Sequence, residues 1–316
     1  MNKQHFVVRL ITTFVFVLAV SAVCSAQASR TWVSGLGEDA NPCSRYAPCK
    51  TFAGALSKTA AGGEINVLEP GGFGPVTISK SITISSEGFQ AGILIDTDSA
   101  IVVNALSTDT IILRGLDLEG LGSAVYGINF LNGGTLHVEK CTINNFNGNG
   151  IEFQPFNGGT DPANIFVKDT IIRGNKVGNG IGTSIGGVYI HPGTGVTVSG
   201  EFDNVRLEKN MTGMRVDDGV IVTVKNSSAS GNTKGFIANS TSTAATIVLD
   251  SCMISGNTST GVTSNGALAM VRMSNNTVTG NLFGLKLGGG NIQSAVNNRI
   301  FGNGTDGAPN QTYLQQ

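Results

Sequence analysis

Charged and aromatic residues are scarce in this chain of 316 residues. Only 13% of the residues are Asp, Glu, Lys or Arg, the formal net charge is −1, and there is a single tryptophan. Nucleic-acid binding calls for a clustered basic surface, which this composition does not supply. We therefore expect no nucleic-acid partner.

Long apolar runs are also lacking, except at the very beginning. Residues 1–28 combine a basic start, with Lys3 and Arg9, an apolar run over residues 10–23, and the small-residue ending Ala26-Gln27-Ala28. This pattern predicts a secretory signal peptide cleaved after Ala28, because the apolar run is too short to span a bilayer comfortably. No later stretch is as apolar, so we expect a secreted or periplasmic protein whose mature chain has no membrane span.

The chain does contain a short repeated theme, most regular over residues 205–287. Gly-Asn recurs with its asparagines 25, 24 and 22 residues apart, at Asn232, Asn257, Asn281 and Asn303. A second marker is a glycine that stands directly before a short run in which apolar and polar residues alternate. These lead glycines are Gly127, Gly150, Gly187, Gly213, Gly235, Gly261 and Gly284.

A period in the twenties, without helical periodicity or a leucine-rich signature, is typical of a solenoid whose units stack around a shared core. Alternating runs such as residues 221–224 predict strands. Asn and Gly suit the tight corners between them because they tolerate left-handed backbone conformations. We therefore predict an all-β, single-stranded parallel β-helix.

Residues 29–85 differ from the repeats. Phe52, Ala55, Leu56 and Thr59 have helical spacing and Gly62-Gly63 follows, which predicts one short amphipathic helix ending at the glycines. Strands are predicted at residues 64–68 and 75–78. A stacked solenoid exposes its core at each end, so we interpret this segment as an N-terminal cap with a short capping helix. The predicted division is signal peptide 1–28, cap and first coils 29–85, β-helix repeats 86–304 and tail 305–316.

Four cysteines remain after the predicted cleavage. Cys43 and Cys49 flank a short loop, and in an oxidising compartment this predicts a local disulfide. Cys141 and Cys252 occupy similar places in their repeats but are about four coils apart, roughly 19 Å at ~4.8 Å per coil. A disulfide needs Cα atoms within ~7 Å, so we predict that these two are buried free thiols.

The run over residues 50–84, KTFAGALSKTAAGGEINVLEPGGFGPVTISKSITI, resembles the opening of pectin-lyase-like, right-handed parallel β-helix proteins. The later G-N-x-x-x-G-[IVLF] units resemble their repeats. The resemblance covers nearly all of the mature chain and implies a right-handed coil, but no single activity, because the superfamily includes several enzyme classes and proteins without known catalysis. The familiar catalytic signatures of the superfamily are not intact in this chain. The paired aspartates Asp217-Asp218 are not followed by the Gly-His-Gly segment that would complete one signature. The only tryptophan, Trp32, precedes the helix and so cannot belong to a signature in the repeats.

Repeat geometry predicts which side chains meet, because strand side chains alternate and successive coils align them into columns. The residue after each lead glycine should point inward: Ile128, Ile151, Val188, Met214, Phe236, Val262 and Leu285. The next residue should form a first outward column: Asn129, Glu152, Tyr189, Arg215, Ile237, Thr263 and Lys286. A second outward column should contain Leu131, Gln154, His191, Asp217, Asn239, Asn265 and Gly288.

Three consecutive coils should bring ionisable groups within roughly 10 Å of one another. The predicted catalytic residues are His191, Tyr189, Arg215, Asp217 and Glu152, and the predicted substrate-binding residues are Gln154, Asn129 and Asn239. In a uronic-acid lyase, Arg215 would neutralise a carboxylate, either His191 or Tyr189 would remove the C5 proton, and the other of the two would protonate the leaving oxygen. In a glycosidase, Glu152 and Asp217 would be the acid–base pair.

Two functions remain open at this point. The step of 37 residues between Gly150 and Gly187 places extra residues around 155–163 and 176–184 beside this face, and such loops often wall a groove. This favours a secreted protein that binds an extracellular polysaccharide and cleaves it as a lyase or hydrolase. The alternative is a non-catalytic structural or glycan-binding β-helix whose polar side chains pair with one another. We expect a monomer with no cofactor and no metal, since Asp217-Asp218 offers few oxygens for calcium.

Overall fold

The computed structural model describes residues 27–176 and 186–313, so the predicted signal peptide lies outside the described residues except for Gln27 and Ala28. Within these ranges the chain winds through three sheets of parallel strands and visits each sheet in turn. No helix in these ranges is long and apolar enough to cross a membrane.

The described residues form sheets of twelve, nine and ten strands, numbered here in chain order. The twelve-stranded sheet contains β1 (Ala28–Val33), β2 (Thr59–Val67), β5 (Ile82–Ser85), β8 (Thr110–Arg114), β11 (Thr135–Glu139), β14 (Ala163–Lys168), β17 (Val198–Asp203), β20 (Val220–Lys225), β23 (Ala245–Asp250), β26 (Ala269–Ser274), β29 (Asn291–Ser294) and β31 (Gln311–Thr312). The nine-stranded sheet contains β4 (Val76–Ile78), β7 (Ser99–Asn104), β10 (Tyr126–Asn132), β13 (Ile151–Phe153), β16 (Val188–Ile190), β19 (Thr212–Val216), β22 (Lys234–Asn239), β25 (Thr260–Asn265) and β28 (Phe283–Gly288). The ten-stranded sheet contains β3 (Gly71–Gly72), β6 (Ala91–Leu94), β9 (Leu116–Glu119), β12 (Thr142–Asn144), β15 (Ile171–Arg173), β18 (Arg206–Glu208), β21 (Ser228–Ser230), β24 (Met253–Ser255), β27 (Thr277–Thr279) and β30 (Arg299–Ile300).

Each strand pairs in parallel with its equivalent one coil later. In β20, Val220, Val222 and Val224 point into the core, while the residues between them face outward. The inward column predicted from the lead glycines is confirmed: its seven residues are all buried and pair with one another along the nine-stranded sheet. The predicted all-β parallel β-helix is therefore correct.

Close backbone approach explains the lead glycines. A Cβ added at Gly187, Gly213 or Gly235 would lie 2.5, 2.7 or 2.3 Å from the carbonyl oxygen of the next lead glycine. Such distances are far inside van der Waals contact. The recurring glycine is therefore a steric requirement of stacking one coil directly on the next.

The two residues of the Gly-Asn marker have different functions, and only the glycine adopts the left-handed conformation. Its φ is 64° at Gly231 and 62° at Gly256. The asparagine that follows is buried and uses its side chain to bond along the solenoid axis. Left-handed asparagines occur instead at the turn between the twelve- and ten-stranded sheets, as at Asn204 and Asn226.

These buried asparagines form a ladder. The Oδ1 atom of Asn257 accepts hydrogen bonds from the backbone N–H of Asn232 at 3.1 Å and from its Nδ2 at 3.0 Å. The Nδ2 of Asn257 donates to Ala229 O and to Asn281 Oδ1, at 3.1 and 2.8 Å. The same pattern links Asn175, Asn210, Asn232, Asn257, Asn281 and Asn303. The ladder satisfies polar groups that the corner would otherwise bury without partners.

The predicted capping helix is confirmed, but it ends earlier than expected. Helix α1 (Phe52–Lys58) follows Thr51, whose side chain accepts a hydrogen bond from Gly54 N at 2.9 Å. Phe52 is buried and contacts Phe73, with ring centroids 5.0 Å apart. Strand β2 begins directly at Thr59, so Gly62-Gly63 lies within a strand. Pairing of Thr59 with Ala28 in β1 explains why helical spacing does not extend the helix.

The cysteine predictions are also confirmed. Cys43 and Cys49 form a disulfide with Cα atoms 4.6 Å apart, while Cys141 and Cys252 are buried free thiols. Burial raises the pKa of both free thiols to about 12. At physiological pH they are protonated and packed as small apolar groups.

Truncating the ladder should destabilise the protein. We expect Asn257→Ala to lower the free energy of unfolding by about 2–4 kcal/mol, because it leaves several buried polar groups without partners. Urea denaturation followed by circular dichroism measures the loss. The matched control is Asn239→Ala, which removes a more exposed asparagine that accepts from Asn265. An equal loss in the two variants would contradict the ladder's stabilising function.

Both free thiols should be unreactive in the folded protein. With a chain beginning at Gln27, we expect almost no labelling by a maleimide at pH 8 under native conditions, and two labelled thiols after denaturation without reductant. Mass spectrometry counts the adducts. Rapid native labelling of Cys141 or Cys252 would show that these side chains are accessible.

Candidate functional site

The two predicted outward columns meet on the face of the nine-stranded sheet formed by β13, β16 and β19. Glu152 pairs with Tyr189, and Tyr189 pairs with Arg215, in direct register. Two residues further along the chain, directly after the end of each strand, lie Gln154, His191 and Asp217. We call the outward side chains of these six residues the candidate site.

One half of the candidate site is an Asp217-centred cluster. The guanidinium of Arg215 donates to both carboxylate oxygens of Asp217, from Nε at 2.6 Å and from a terminal nitrogen at 3.0 Å. The hydroxyl of Tyr189 donates to Oδ2 of the same carboxylate at 2.7 Å. The two-point geometry is the strong form of an arginine–carboxylate pair, so the three side chains are held in fixed positions.

The other half is centred on Glu152, whose carboxylate is buried, whereas its outward position in the strand predicted an exposed one. Glu152 is only 4% exposed although it belongs to the outward column. Its Oε1 lies 2.5 Å from Nε2 of His191, and its Oε2 accepts a hydrogen bond from Asn149 Nδ2. These two neighbours cover the carboxylate, while His191 itself stays about 29% exposed.

Ring stacking joins the two halves. The rings of Tyr189 and His191 are stacked with centroids 4.0 Å apart and planes 20° from parallel. The Arg215 guanidinium carbon lies 5.3 Å from the Tyr189 centroid, a cation–π distance. On the inner side of the sheet, Phe153 of β13 and Phe130 of β10 stack in the core at 4.3 Å. The polar groups are thus supported by rigid packing on the inner side of the sheet.

The residues predicted to bind substrate lie beside this cluster. Gln154 donates from Nε2 to Oδ1 of Asn129 at 3.0 Å, on the N-terminal side. Asn239 lies one coil beyond Asp217 and accepts a hydrogen bond from Asn265 at 2.7 Å. The structure therefore extends a polar surface on both sides of the candidate site.

The predicted insertion at residues 155–163 folds as a loop anchored on the preceding coil. It contains a short 3₁₀ turn, Asn157–Gly159. The buried Asn157 side chain donates to Gly133 O at 2.8 Å and accepts from Gly133 N at 3.0 Å. The second predicted insertion, residues 176–184, lies outside the described residues except for Lys176.

Two residues near the site were not predicted. Asn149 connects Glu152 to Gly186 N, from which its Oδ1 accepts at 2.5 Å. Tyr126 lies near Glu152: burial raises the pKa of its phenol, and the carboxylate raises it further. Asn149 could have been suspected from its place three residues before Glu152 in an asparagine-rich turn. Tyr126 precedes its lead glycine and lies outside both predicted columns.

Asp218 belongs to a separate structure despite its position next to Asp217. Its carboxylate accepts backbone hydrogen bonds from Thr241, Ser242 and Thr243 in the following coil. Burial raises the pKa of Asp218, but a hydrogen bond from the Thr241 hydroxyl, together with these backbone hydrogen bonds, outweighs it and holds the pKa well below its usual range. The described part of the chain has no group of three or more His, Cys, Asp and Glu side chains arranged to hold a metal ion.

The anchoring of Asp218 should make stability depend on acid pH. A lowered pKa in the folded state means that the stabilisation is fully present above the unfolded value of about 3.9 and is lost progressively as the pH falls from there through the lower pKa of the folded state. We expect Asp218→Asn to lower Tm at pH 7, and we expect this loss to be smaller at pH 3 and to shrink further as the pH is lowered towards 2, measured by calorimetry. The exposed Asp96→Asn serves as control, and an Asp218→Asn effect that is the same at both pH values would contradict this interpretation.

Comparison with known proteins agrees with this architecture. No family model matches the sequence, and no curated protein matches it either. The chain is similar to the crystal structure of pectate lyase Pel9A, with a TM-score of 0.61 over 86% of this chain and 78% of that chain, at 18% sequence identity. At this identity the likeness concerns the fold. The fold is therefore a right-handed parallel β-helix, as the sequence resemblance predicted.

Proposed function

We propose that this protein is a secreted polysaccharide-binding β-helix that cleaves a uronate-containing chain by β-elimination at the candidate site. The likeness to a pectate lyase supports a polysaccharide as the ligand. The Cys43–Cys49 disulfide and the predicted signal peptide support an extracellular or periplasmic location.

The observation that carries the proposal is the pairing of a buried carboxylate with a partly exposed histidine. When Glu152 is ionised, its Oε1 accepts the Nε2–H of His191 and selects the tautomer whose Nδ1 has a lone pair. This is the arrangement by which a carboxylate orients a general base. His191 would take the C5 proton of a uronate, whose carboxylate group makes that proton more acidic.

The neighbouring groups complete an elimination. Arg215 would bind the uronate carboxylate in competition with Asp217, which engages two of its nitrogens. Loss of the C5 proton forms a C4–C5 double bond and breaks the C4–O4 bond. The Tyr189 hydroxyl, stacked against His191, would donate a proton to the leaving oxygen. In this proposal Arg215 binds the substrate carboxylate, His191 is the general base and Tyr189 is the general acid.

Elimination is favoured over hydrolysis because of the environment of Glu152. A glycosidase would need Glu152 and Asp217 to face the glycosidic bond as an acid–base pair. Glu152 is almost fully buried, and both of its oxygens already have partners within the protein. This carboxylate is suited to orienting a neighbour.

A non-catalytic glycan-binding module is the second candidate. It is favoured by the mutual pairing of the charged groups: Arg215 with Asp217, and His191 with Glu152. Such pairing is what a solvated sheet face requires even without chemistry. In this case the face would bind sugars without changing them.

Activity assays separate these candidates. The chain from Ser29 onward is incubated with polygalacturonate and with neutral polysaccharides, and products are followed by the ultraviolet absorbance of unsaturated uronates and by new reducing ends. We expect unsaturated products, with kcat reduced by about 100-fold or more in His191→Ala. Arg215→Ala should mainly raise KM, whereas Thr263→Ala, two coils away in the same column, should change neither constant.

Binding without products that is lost in Arg215→Ala would favour the non-catalytic module. Binding that is unchanged in Arg215→Ala and His191→Ala, with no products, would contradict both assignments of the site. New reducing ends without unsaturation would instead indicate hydrolysis.

A further inference from the structure

A second cavity lies on the outward face of the twelve-stranded sheet, away from the candidate site. It has a volume of about 310 Å³ and lies over β11, β14, β17 and β20. Its lining includes His137, Phe166, Lys168, Glu201, Asp203 and Lys225. These residues take no part in the proposed elimination.

Two stacked rings form the floor of this cavity. His137 and Phe166 pair in register on neighbouring strands, with centroids 5.0 Å apart and planes 16° from parallel. Phe166 is 39% exposed. The next residue in its column is Glu201, whose carboxylate is drawn to Lys225 Nζ at 2.7 Å. His137 therefore covers one face of the Phe166 ring, and the partly exposed Phe166 side chain lines the cavity together with it.

The charges around the ring nearly cancel. Three carboxylates, those of Glu139, Glu201 and Asp203, line the cavity with two ammonium groups, those of Lys168 and Lys225. Burial lowers the pKa of His137 and outweighs the opposing effect of Glu139, so the imidazole is neutral at neutral pH. A polyanion would find no net positive charge here.

An exposed aromatic face surrounded by hydrogen-bonding groups of both signs matches the chemistry of a neutral sugar. A pyranose has an apolar C–H face that packs on an aromatic ring, and its hydroxyls can both donate and accept hydrogen bonds. The carboxylates would accept from hydroxyls, and the ammonium groups would donate to them. The volume is near the lower end of ~300–1,000 Å³ for ligand pockets, which suits one or two sugar rings.

We propose that this cavity is a second glycan-binding site, which binds a neutral sugar segment by stacking it on Phe166. It lies on a different sheet from the candidate site and does not depend on the elimination chemistry. A protein with both sites binds a neutral polysaccharide on one face while the other engages an acidic chain.

Calorimetric titration tests this proposal with cellohexaose, mannohexaose, xylohexaose and hexagalacturonate as the probes. We expect at least one neutral hexasaccharide to bind, and Phe166→Ala to weaken that binding about tenfold, as expected for loss of an aromatic stacking contact. Phe166→Tyr should retain binding because it keeps the ring. Ile221→Ala is the matched control, since it truncates an exposed apolar side chain of the same sheet outside the cavity.

Three results would overturn the proposal. The first is that no neutral hexasaccharide binds, and the second is that Phe166→Ala and Ile221→Ala bind the neutral hexasaccharide equally well. The third is that hexagalacturonate binds more tightly than the neutral hexasaccharides and loses this binding in Phe166→Ala. Phe166→Ala should leave the turnover of polygalacturonate unchanged. Neutral-sugar binding and product formation are separate readouts, so either this proposal or the proposed elimination can fail while the other stands.

Discussion

The structure depends on one constraint: each strand pairs in parallel with its equivalent one coil later, residue for residue except at a few irregularities in register. Every side chain then has the same two neighbours, the residues at its position in the coils before and after. Where that position is inside a corner, its polar groups must be satisfied along the axis, and the ladder through Asn232, Asn257 and Asn281 does this. Where two backbones meet without room for a Cβ, the column contains glycine.

The same constraint assembles the candidate site. Ionisable residues occupy the same two columns in three successive coils, so they must lie against one another and pair. The pairing is asymmetric: Glu152 is buried beneath His191 and Asn149, whereas Asp217 binds Arg215 and Tyr189 nearer the surface. In the proposed elimination, that asymmetry and the stacked rings of Tyr189 and His191 separate the group that orients from the groups that react.

Sequence reasoning was sufficient for the fold and for the register of the site, because a period near 24 residues and a strand period of two determine which residues align. It was insufficient where the outcome depends on side-chain direction or on pairing between residues that are distant in sequence. A Gly-Asn pair is equally compatible with a left-handed asparagine and with a laddered one, and only the packed corner distinguishes them. The burial of Glu152 depends on the directions taken by His191 and Asn149, and the end of α1 depends on pairing between Thr59 and Ala28, which are distant in sequence.

The central claim is that the face formed by β13, β16 and β19 binds a uronate chain through Arg215 and the Tyr189–His191 stack. The most direct test is a crystal structure of the Glu152→Gln variant, in which we expect turnover to be slowed, with a bound oligogalacturonate. Our account predicts a sugar carboxylate within hydrogen-bond distance of the Arg215 guanidinium and a C5 atom next to His191. An oligogalacturonate bound only elsewhere, with the Arg215–Asp217 pair undisturbed and this face empty, would contradict it.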